Sequence, residues 1–241
     1  MTITFEQAVD IAAIAIVVLA FFVAFIYPPL MMRRAIKQSC IALARAVESR
    51  EPYQLGHSER TAELVVAMAR RSVRFAPWQI WDLEIAALLH MIGKVGVAHG
   101  TLNSELPPAG RELFALHEYV RIGAEILAAV PPLSGAAVTV AYHREYLDGA
   151  GYPFGRYGDG IPFGARLLCV ATEFVAMTSP RVYRADGAVM DTADALEYFS
   201  QRAGQVYDAE AVELLARICQ TPRRPAKKVF SPLADRLRTT S

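Results

Sequence analysis

The stretch that decides the fold runs from His143 to Ile161 and reads HREYLDGAGYPFGRYGDGI. Six glycines and two prolines lie between Asp148 and Gly164, a density that excludes a helix or a central strand. The stretch predicts an ordered loop, because aromatic side chains can pack against it: Tyr142, Tyr146, Tyr152, Phe154 and Tyr157. Taken alone, such a loop is equally well explained as a structured connection between two helices.

Two shorter strings lie upstream of this loop. Residues 57–60 read HSER and residues 90–94 read HMIGK. Together with DGAGYP at residues 148–153, their order and spacing resemble the HD-GYP family of metal-dependent phosphohydrolases, which typically cleave cyclic di-GMP. The resemblance covers about residues 50–217 and implies an all-α HD-GYP helical bundle. It also implies that the glycine-rich loop is a surface for partner signalling domains, including GGDEF-type cyclic di-GMP synthases, through Asp148, Gly149, Gly151, Tyr152 and Pro153.

Composition limits the other possibilities. A chain of 241 residues with 54% hydrophobic residues has room for one domain of ordinary size and a membrane segment. The net charge of +1 provides no general attraction to nucleic acid, so no nucleic-acid partner is expected. The three cysteines are few, unclustered and odd in number, which is typical of reduced cytosolic thiols rather than of disulfides or a zinc site.

An uninterrupted apolar run extends from Ile11 to Tyr27. With its neighbours (residues 8–32) it approaches the roughly 20 residues that cross a bilayer as a helix, and no polar face recurs that would favour a buried core helix. Basic residues follow at Arg33, Arg34 and Lys37, so the positive-inside rule predicts a single-pass protein of the inner membrane with its N-terminus outside and its domain in the cytoplasm. The juxtamembrane helix that follows, residues 33–49, is either a spacer or a segment that pairs in a homodimer.

Helical periodicity and the positions of proline and glycine predict the remaining domain, residues 50–220. The predicted helices are Glu51–Phe75, Trp78–His90, Arg111–Val130, Ser134–Tyr146, Gly164–Ser179, Thr192–Ala203 and Asp208–Cys219. The helix Gly164–Ser179 is apolar along its length and is therefore predicted to be central. Residues 221–241 carry prolines and a basic cluster and predict a flexible tail, either solvated or lying on anionic lipid.

The resemblance implies a metal site made of histidines and aspartates from several helices. In this chemistry the metal ions activate a water molecule and neutralise charge on the phosphate. Three histidines stand at family positions: His57 in HSER, His90 as the first letter of the HD pair, and His143 as the first letter of a His-His-Glu string whose glutamate is Glu145. These three are the candidate metal ligands.

Four other positions depart from the family pattern. Met91 replaces the aspartate of the HD pair, Arg144 the second histidine of His-His-Glu, Tyr119 a ligand histidine, and Thr172 a ligand aspartate. His117 is a candidate substitute for the histidine lost at Tyr119, although a shift of two residues turns a side chain roughly 200° around a helix. Two carboxylates are lost and a cation is gained. The sequence therefore predicts little phosphodiesterase activity and no cofactor, or at most Fe, Mn or Zn at reduced stoichiometry.

Several basic residues stand at or beside the motif positions: Lys94, Arg144, Arg166, Arg181 and Arg184. They are either structural or line a cavity that binds cyclic di-GMP or a related nucleotide without cleaving it, because arginine suits phosphate oxygens. Lys94 is also the one candidate catalytic residue.

The sequence thus predicts a membrane-anchored, degenerate HD-GYP protein of bacterial cyclic-dinucleotide signalling that acts as a nucleotide-binding or protein-interaction module. The alternative is an active phosphohydrolase with a remodelled metal site held by His57, His90 and His143, together with His117 or Glu145.

Overall fold

The computed structural model describes residues 5–51, 54–102, 110–179 and 189–220, and these residues form helices without a named β-strand. The all-α prediction is therefore confirmed for the described part of the chain. The α-helices are α1 (Phe5–Phe21), α2 (Tyr27–Glu48), α3 (His57–Ala69), α4 (Pro77–Leu89), α5 (His99–Leu102), α6 (Arg111–Ala128), α7 (Ser134–Tyr142), α8 (Phe163–Met177), α9 (Thr192–Ser200) and α10 (Ala209–Gln220). Short 3₁₀ turns lie at Ile92–Gly96, Pro131–Leu133 and Gly158–Gly160. The predicted basic tail lies outside the described residues.

A single long helix opens the described chain. A π-helical turn at Phe22–Ile26 joins α1 to α2 without a break, directly before Pro28 and Pro29. Proline fits there because the first turn of α2 leaves N–H groups unpaired in any case. The part Ala13–Glu48 contains a segment of mean hydropathy 2.5 that is exposed throughout, so one described helix is long and apolar enough to cross a membrane.

The second half of α2 packs on the domain. Cys40 and Val47 are buried in the main core, and Lys37 forms an ion pair with Glu84 of α4. Leu43, another apolar residue of this half of α2, is 48% exposed. The helical prediction for residues 33–49 is confirmed, and much of its apolar face is covered within the chain itself. Pairing with a second copy stays a prediction.

The core lies between α3, α4, α7 and α8. Nine of the 15 residues of α8 are buried, which confirms that this helix is central. Helix α6 covers the 3₁₀ turn at Ile92–Gly96 at very short range, because a Cβ atom on Gly93 would lie 1.8 Å from the carbonyl oxygen of Tyr119. Only glycine permits this approach, which sets the distance between α6 and the end of α4.

Several predicted helices are shorter in the structure, and local contacts explain two of them. Helix α3 starts at His57 because Gly56 has a left-handed φ of 77°, and the Glu48 carboxylate accepts hydrogen bonds at 2.7 Å from the N–H groups of Gly56 and Ser58. Helix α7 ends at Tyr142, and the chain then turns so that the Arg144 carbonyl accepts a bond from the N–H of Tyr152. The segment between the predicted helices Trp78–His90 and Arg111–Val130 contains the short helix α5.

Candidate functional site

The three predicted histidines lie side by side in the core. His57 opens α3, His90 follows α4, and His143 follows α7, and all three are buried. The ring centroid of His90 lies 5.4 Å from that of His57 and 5.4 Å from that of His143. The ends of three helices therefore meet where the sequence motifs predicted a shared site.

Hydrogen bonds to the backbone fix the orientation of two of these rings. The Nδ1 atom of His90 lies 2.7 Å from the Ala87 carbonyl oxygen, and Nδ1 of His143 lies 2.7 Å from that of Val140. A carbonyl oxygen only accepts, so we assign the proton of each neutral ring to Nδ1. Each Nε2 then presents a lone pair, and that of His90 has no partner among the described residues.

The lone pair of His143 is already engaged by Tyr119. The Tyr119 hydroxyl lies 3.2 Å from His143 Nε2, and Arg144 Nε donates to the same hydroxyl at 3.0 Å. The Tyr119 hydroxyl thus donates a hydrogen bond to His143 and accepts one from Arg144. Two of the four departures from the family pattern, Tyr119 and Arg144, bond to each other and to a retained histidine.

Glu173 completes this network, although the sequence motifs did not predict it as a site residue. Its carboxylate lies 3.7 Å from Arg144 Nη1 and accepts hydrogen bonds from the hydroxyls of Tyr146 and Tyr207, each at 2.5 Å. Burial and the Glu173 carboxylate raise the pKa of both tyrosines. Its position directly after Thr172, a family ligand position, was the one available signal.

The electrostatics of the site favour neutral rings for His90 and His143 beside the half-buried cation of Arg144. The pKa of His90 is lowered to about 3, chiefly by burial; the Ala87 hydrogen bond opposes this shift, and the charges of Arg144 and Lys94 add to it. Burial and Arg144 also hold the pKa of His143 well below its usual value. Although burial opposes its charge, Arg144 has its pKa raised well above the ordinary value by Tyr119, Tyr152 and Glu173.

The residues present do not fit the metal centre that the family resemblance implies. Met91 and Thr172 are buried at the former carboxylate positions, and neither supplies the hard anionic oxygen that divalent ions prefer. Within the described ranges, no three His, Cys, Asp or Glu side chains are arranged to hold a metal ion. The Nε2 atom of His90, whose lone pair could bind a metal ion, has no hydrogen-bond partner among the described residues.

The described cations of the predicted nucleotide cavity are bound to the protein itself. Lys94 Nζ lies 2.6 Å from the Glu51 carboxylate in a nearly buried ion pair. Arg166 donates to the Ile161 carbonyl oxygen at 2.7 Å and to Asp159 and Asp208 at 3.0 Å each. These contacts support the structural interpretation of both residues. Arg181 and Arg184 lie outside the described residues.

The ring of His117 stacks on the glycine-rich loop rather than on the rings of the three predicted ligand histidines. Its ring lies flat on that of Tyr152, with centroids 3.8 Å apart and an interplanar angle of 7°. Burial and then Arg144 lower its pKa. The hypothesis that His117 substitutes for the ligand lost at Tyr119 receives no support from this position, which instead ties α6 to the glycine-rich loop.

The glycine-rich loop is ordered by close backbone packing. Gly149 has a left-handed φ of 81°, and a Cβ atom on Gly151 would lie 2.5 Å from the Arg144 carbonyl oxygen. The Glu145 carboxylate accepts hydrogen bonds from the N–H groups of Phe154 at 2.7 Å and Arg156 at 2.9 Å. Glu145 therefore holds the loop, and its alternative assignment as a metal ligand stays a prediction.

Comparison with known proteins agrees with this architecture. The family model described as "HD domain" matches residues 42–211. This chain belongs to the HD domain family. Among curated relatives it is 33% identical over 176 residues to 3'3'-cGAMP-specific phosphodiesterase 3 of Vibrio cholerae, covering 73% of this chain and 37% of the relative. It is 30% identical over 184 residues to the cyclic di-GMP phosphodiesterase response regulator RpfG of Xanthomonas campestris, covering 75% and 47%.

Solved structures show the same fold. The V. cholerae cyclic GMP-AMP phosphodiesterase V-cGAP3 superimposes with a TM-score of 0.59 at 17% identity, covering 84% of this chain and 53% of that one. Bd1817, an HD-GYP protein of Bdellovibrio bacteriovorus, gives 0.54 at 18% identity, covering 68% and 51%. The HD-GYP assignment is confirmed. The HD domain of this chain spans less than half the length of the two curated relatives.

Proposed function

We propose that this chain is a membrane-anchored HD-GYP protein that does not hydrolyse cyclic dinucleotides and acts as a protein-interaction module in cyclic-dinucleotide signalling. The link to that signalling comes from relatives named as cyclic di-GMP and cGAMP phosphodiesterases. The geometry of the site in this chain supports the loss of catalysis. The ion pairs that its basic residues form within the protein favour protein interaction over nucleotide binding.

The observation that carries the proposal is the chain of contacts Arg144–Tyr119–His143. A hydroxyl occupies the lone pair with which His143 would bind a metal, and a guanidinium supports that hydroxyl. A divalent ion about 5 Å from that guanidinium would be repelled by about 6 kcal/mol at an effective dielectric constant of about 20. The former metal centre is therefore proposed to be a polar core held by one internal cation.

The geometry favours a protein partner over a nucleotide. Lys94 is neutralised by Glu51 and Arg166 by two aspartates, so neither offers a free charge to a phosphate. The glycine-rich loop, in contrast, is held firmly by Glu145 and exposes two aromatic side chains, Phe154 (49% exposed) and Tyr157 (73% exposed). A rigid loop with exposed aromatic rings is suited to binding a protein surface. A GGDEF-type domain is the partner proposed.

The membrane anchor is proposed from the N-terminal helix. Its apolar segment is exposed and has no partner in the described domain, which is the arrangement expected of a helix that lipid surrounds. Arg33, Arg34 and Lys37 follow the segment and favour a cytoplasmic domain. We infer a single pass through the inner membrane with the N-terminus outside.

The decisive test combines metal content with turnover. The full chain, purified in mild detergent without chelators, should contain less than about 0.2 Fe, Mn or Zn per chain and should not hydrolyse cyclic di-GMP or 3'3'-cGAMP. One or more tightly held metal ions per chain together with turnover would establish the alternative, an active phosphohydrolase with a remodelled site.

A restored variant tests whether the lost positions are responsible. Met91→Asp, Tyr119→His, Arg144→His and Thr172→Asp are introduced together, and folding is monitored by circular dichroism. Metal uptake by the folded variant is the expected result. A variant that folds but takes up no metal shows that these are not the ligand positions.

The loop is tested by binding of a purified GGDEF-type domain. Tyr157→Ser should weaken binding, because it removes an exposed aromatic contact. Leu43→Ser, which removes an exposed apolar side chain on α2 (48% exposed, against 73% for Tyr157), is the control. Equal binding by both variants would exclude the loop as the interaction surface.

A further inference from the structure

A groove lies where the N-terminal helix meets the domain. It has a volume of about 330 Å³, and its walls include Met32, Arg33, Trp78, Trp81 and Pro132. These residues come from α2, from the start of α4 and from the turn before α7. The metal-site residues do not line it, because His90 and His143 follow the opposite ends of α4 and α7.

The groove lies at the level where the apolar segment ends. Met32 is the last residue of the proposed span and is 63% exposed, and Arg33 follows it directly. The residues of α2 that line the groove run from Pro29 to Ile36, which are about 10 Å apart along the helix at a rise of 1.5 Å per residue. The ion pair between Lys37 and Glu84 holds α4 against this part of the helix. The face is therefore turned toward the bilayer that the helix would cross.

The side chains of the groove have the chemistry of a membrane interface. Trp78 is 63% exposed, and the guanidinium of Arg33 lies 5.8 Å from the ring centre of Trp81. Tryptophan is enriched at the headgroup level of bilayers because its ring is apolar and its N–H is polar. Exposing a tryptophan beside an apolar helix end costs free energy in water, whereas the headgroup layer stabilises such a side chain.

The adjacent loop adds positive charge to this face. Residues 70–78 read RRSVRFAPW and contain three arginines and no acidic residue. Arg70 and Arg71 are exposed, as is Val73, whereas Arg74 is paired with Glu210 at 2.8 Å. Juxtamembrane basic residues gain about 1 kcal/mol each from an anionic lipid surface. The charge of this face is complementary to such a surface.

The acidic residue of the groove is turned toward the protein. Asp82 packs on the first turn of α7, where a Cβ atom on Gly135 would lie 2.5 Å from its carboxylate. A carboxylate is favoured at that helix terminus, and Arg33 is the cation that acts on it from the groove side. Asp82 therefore adds little repulsion toward anionic lipid.

We propose that this juxtamembrane face, made of Arg33, Trp78, Trp81 and Pro132 with Arg70 and Arg71, lies in the headgroup layer of an anionic bilayer and fixes the domain on the membrane surface. The proposal rests on the proposed membrane anchor. The occupant of the groove is lipid from the same bilayer, because the face is continuous with the helix that would cross it.

Tryptophan fluorescence tests this directly, because Trp78 and Trp81 are the only two tryptophans of the chain. The full chain is reconstituted into vesicles of equimolar phosphatidylcholine and phosphatidylglycerol that contain lipids brominated near the headgroup or near the chain end. Bromine near the headgroup should quench about half of the emission, and bromine near the chain end clearly less. Trp81→Phe leaves the exposed Trp78 and should retain this difference.

Charge variants test the role of lipid headgroups. Arg70→Ser with Arg71→Ser should reduce the quenching, as should vesicles of phosphatidylcholine alone. Arg121→Ser is the control, since Arg121 is also exposed but lies on α6, near the level of Tyr119, where it pairs with Glu118 and Glu125. Equal quenching of the unmodified chain, the double variant at Arg70 and Arg71, and the Arg121→Ser variant would overturn the role of the two arginines.

Flotation with the vesicles after an alkaline wash separates this proposal from the anchor. A chain that remains in the membrane but shows no bromine quenching keeps the anchor and overturns the face. A blue-shifted emission without bromine quenching also overturns it, because a protein surface then covers the groove. A chain that is washed off refutes the anchor and the face together.

Discussion

Replacing Arg144 by leucine should lower the free energy of unfolding of the domain, and this effect should not depend on a metal ion. The guanidinium lies 3.7 Å from the Glu173 carboxylate, a separation worth about 4–5 kcal/mol of attraction at an effective dielectric constant of about 20. Breaking a buried ion pair from one side costs about 3–5 kcal/mol, because the remaining charge stays buried. The Arg144 side chain is 23% exposed and Glu173 keeps two tyrosine hydroxyls, so we expect about 3 kcal/mol.

The assay is urea unfolding of the full chain in mild detergent, followed by tryptophan emission in the presence of EDTA. The double variant Arg144→Leu with Glu173→Gln should recover about 2 kcal/mol, because no uncompensated carboxylate remains. Arg121→Leu breaks only exposed pairs and should change the unfolding free energy by less than about 0.5 kcal/mol. An Arg144→Leu protein as stable as the parent would refute the idea that this arginine holds the core together.

Three further perturbations follow from the same contacts. Gly151→Ala should destabilise the domain by more than about 2 kcal/mol in urea unfolding, because its Cβ would lie 2.5 Å from backbone atoms, whereas Gly160→Ala meets no atom within 4 Å and should be neutral; equal effects would contradict the close packing. Glu145→Gln weakens two hydrogen bonds to the loop and should speed its cleavage in limited proteolysis, and an unchanged cleavage rate would show that other contacts hold it. His90 is neutral when folded, with a pKa of about 3 against 6.5 when unfolded, so the unfolded chain binds more protons between these values and His90 alone should reduce stability by about 1.4 kcal/mol per pH unit below pH 6.5. His143, whose pKa is also lowered, should add to this fall; a flat profile of unfolding free energy from pH 6.5 to 4.5 would show that both rings are charged in the fold.

The helices were predictable because their causes are local. Apolar residues at a period of 3.6 and the prolines at residues 77 and 131 fix most boundaries to within a few residues. Helix α3 is the clearest exception, since its start depends on Gly56 and on the carboxylate of Glu48. That carboxylate is eight residues away on another helix, and no helical periodicity reveals it.

The site was predictable only as far as the motifs reach. They bring His57, His90 and His143 to the ends of three helices, and the structure places the three rings together. The partners of the charged residues were not predictable, because Lys94 pairs with Glu51, 43 positions earlier in the chain. A sequence read alone shows the cations but not the anions that neutralise them, so it overstates a cationic cavity.

The domain has two ends, and this arrangement bears on how it works. Helix α4 begins beside the groove at Pro77 and ends at Leu89, directly before His90, and its 13 residues span about 20 Å. Helix α7 runs in the same sense, from the turn at Pro132 to His143 and on into the glycine-rich loop. A domain fixed on lipid by its groove end would therefore present the loop away from the membrane, where a partner could reach it. The polar core of Arg144, Tyr119 and Glu173 lies at the loop end, beside His143, and its contacts would hold the loop at a defined distance from the bilayer.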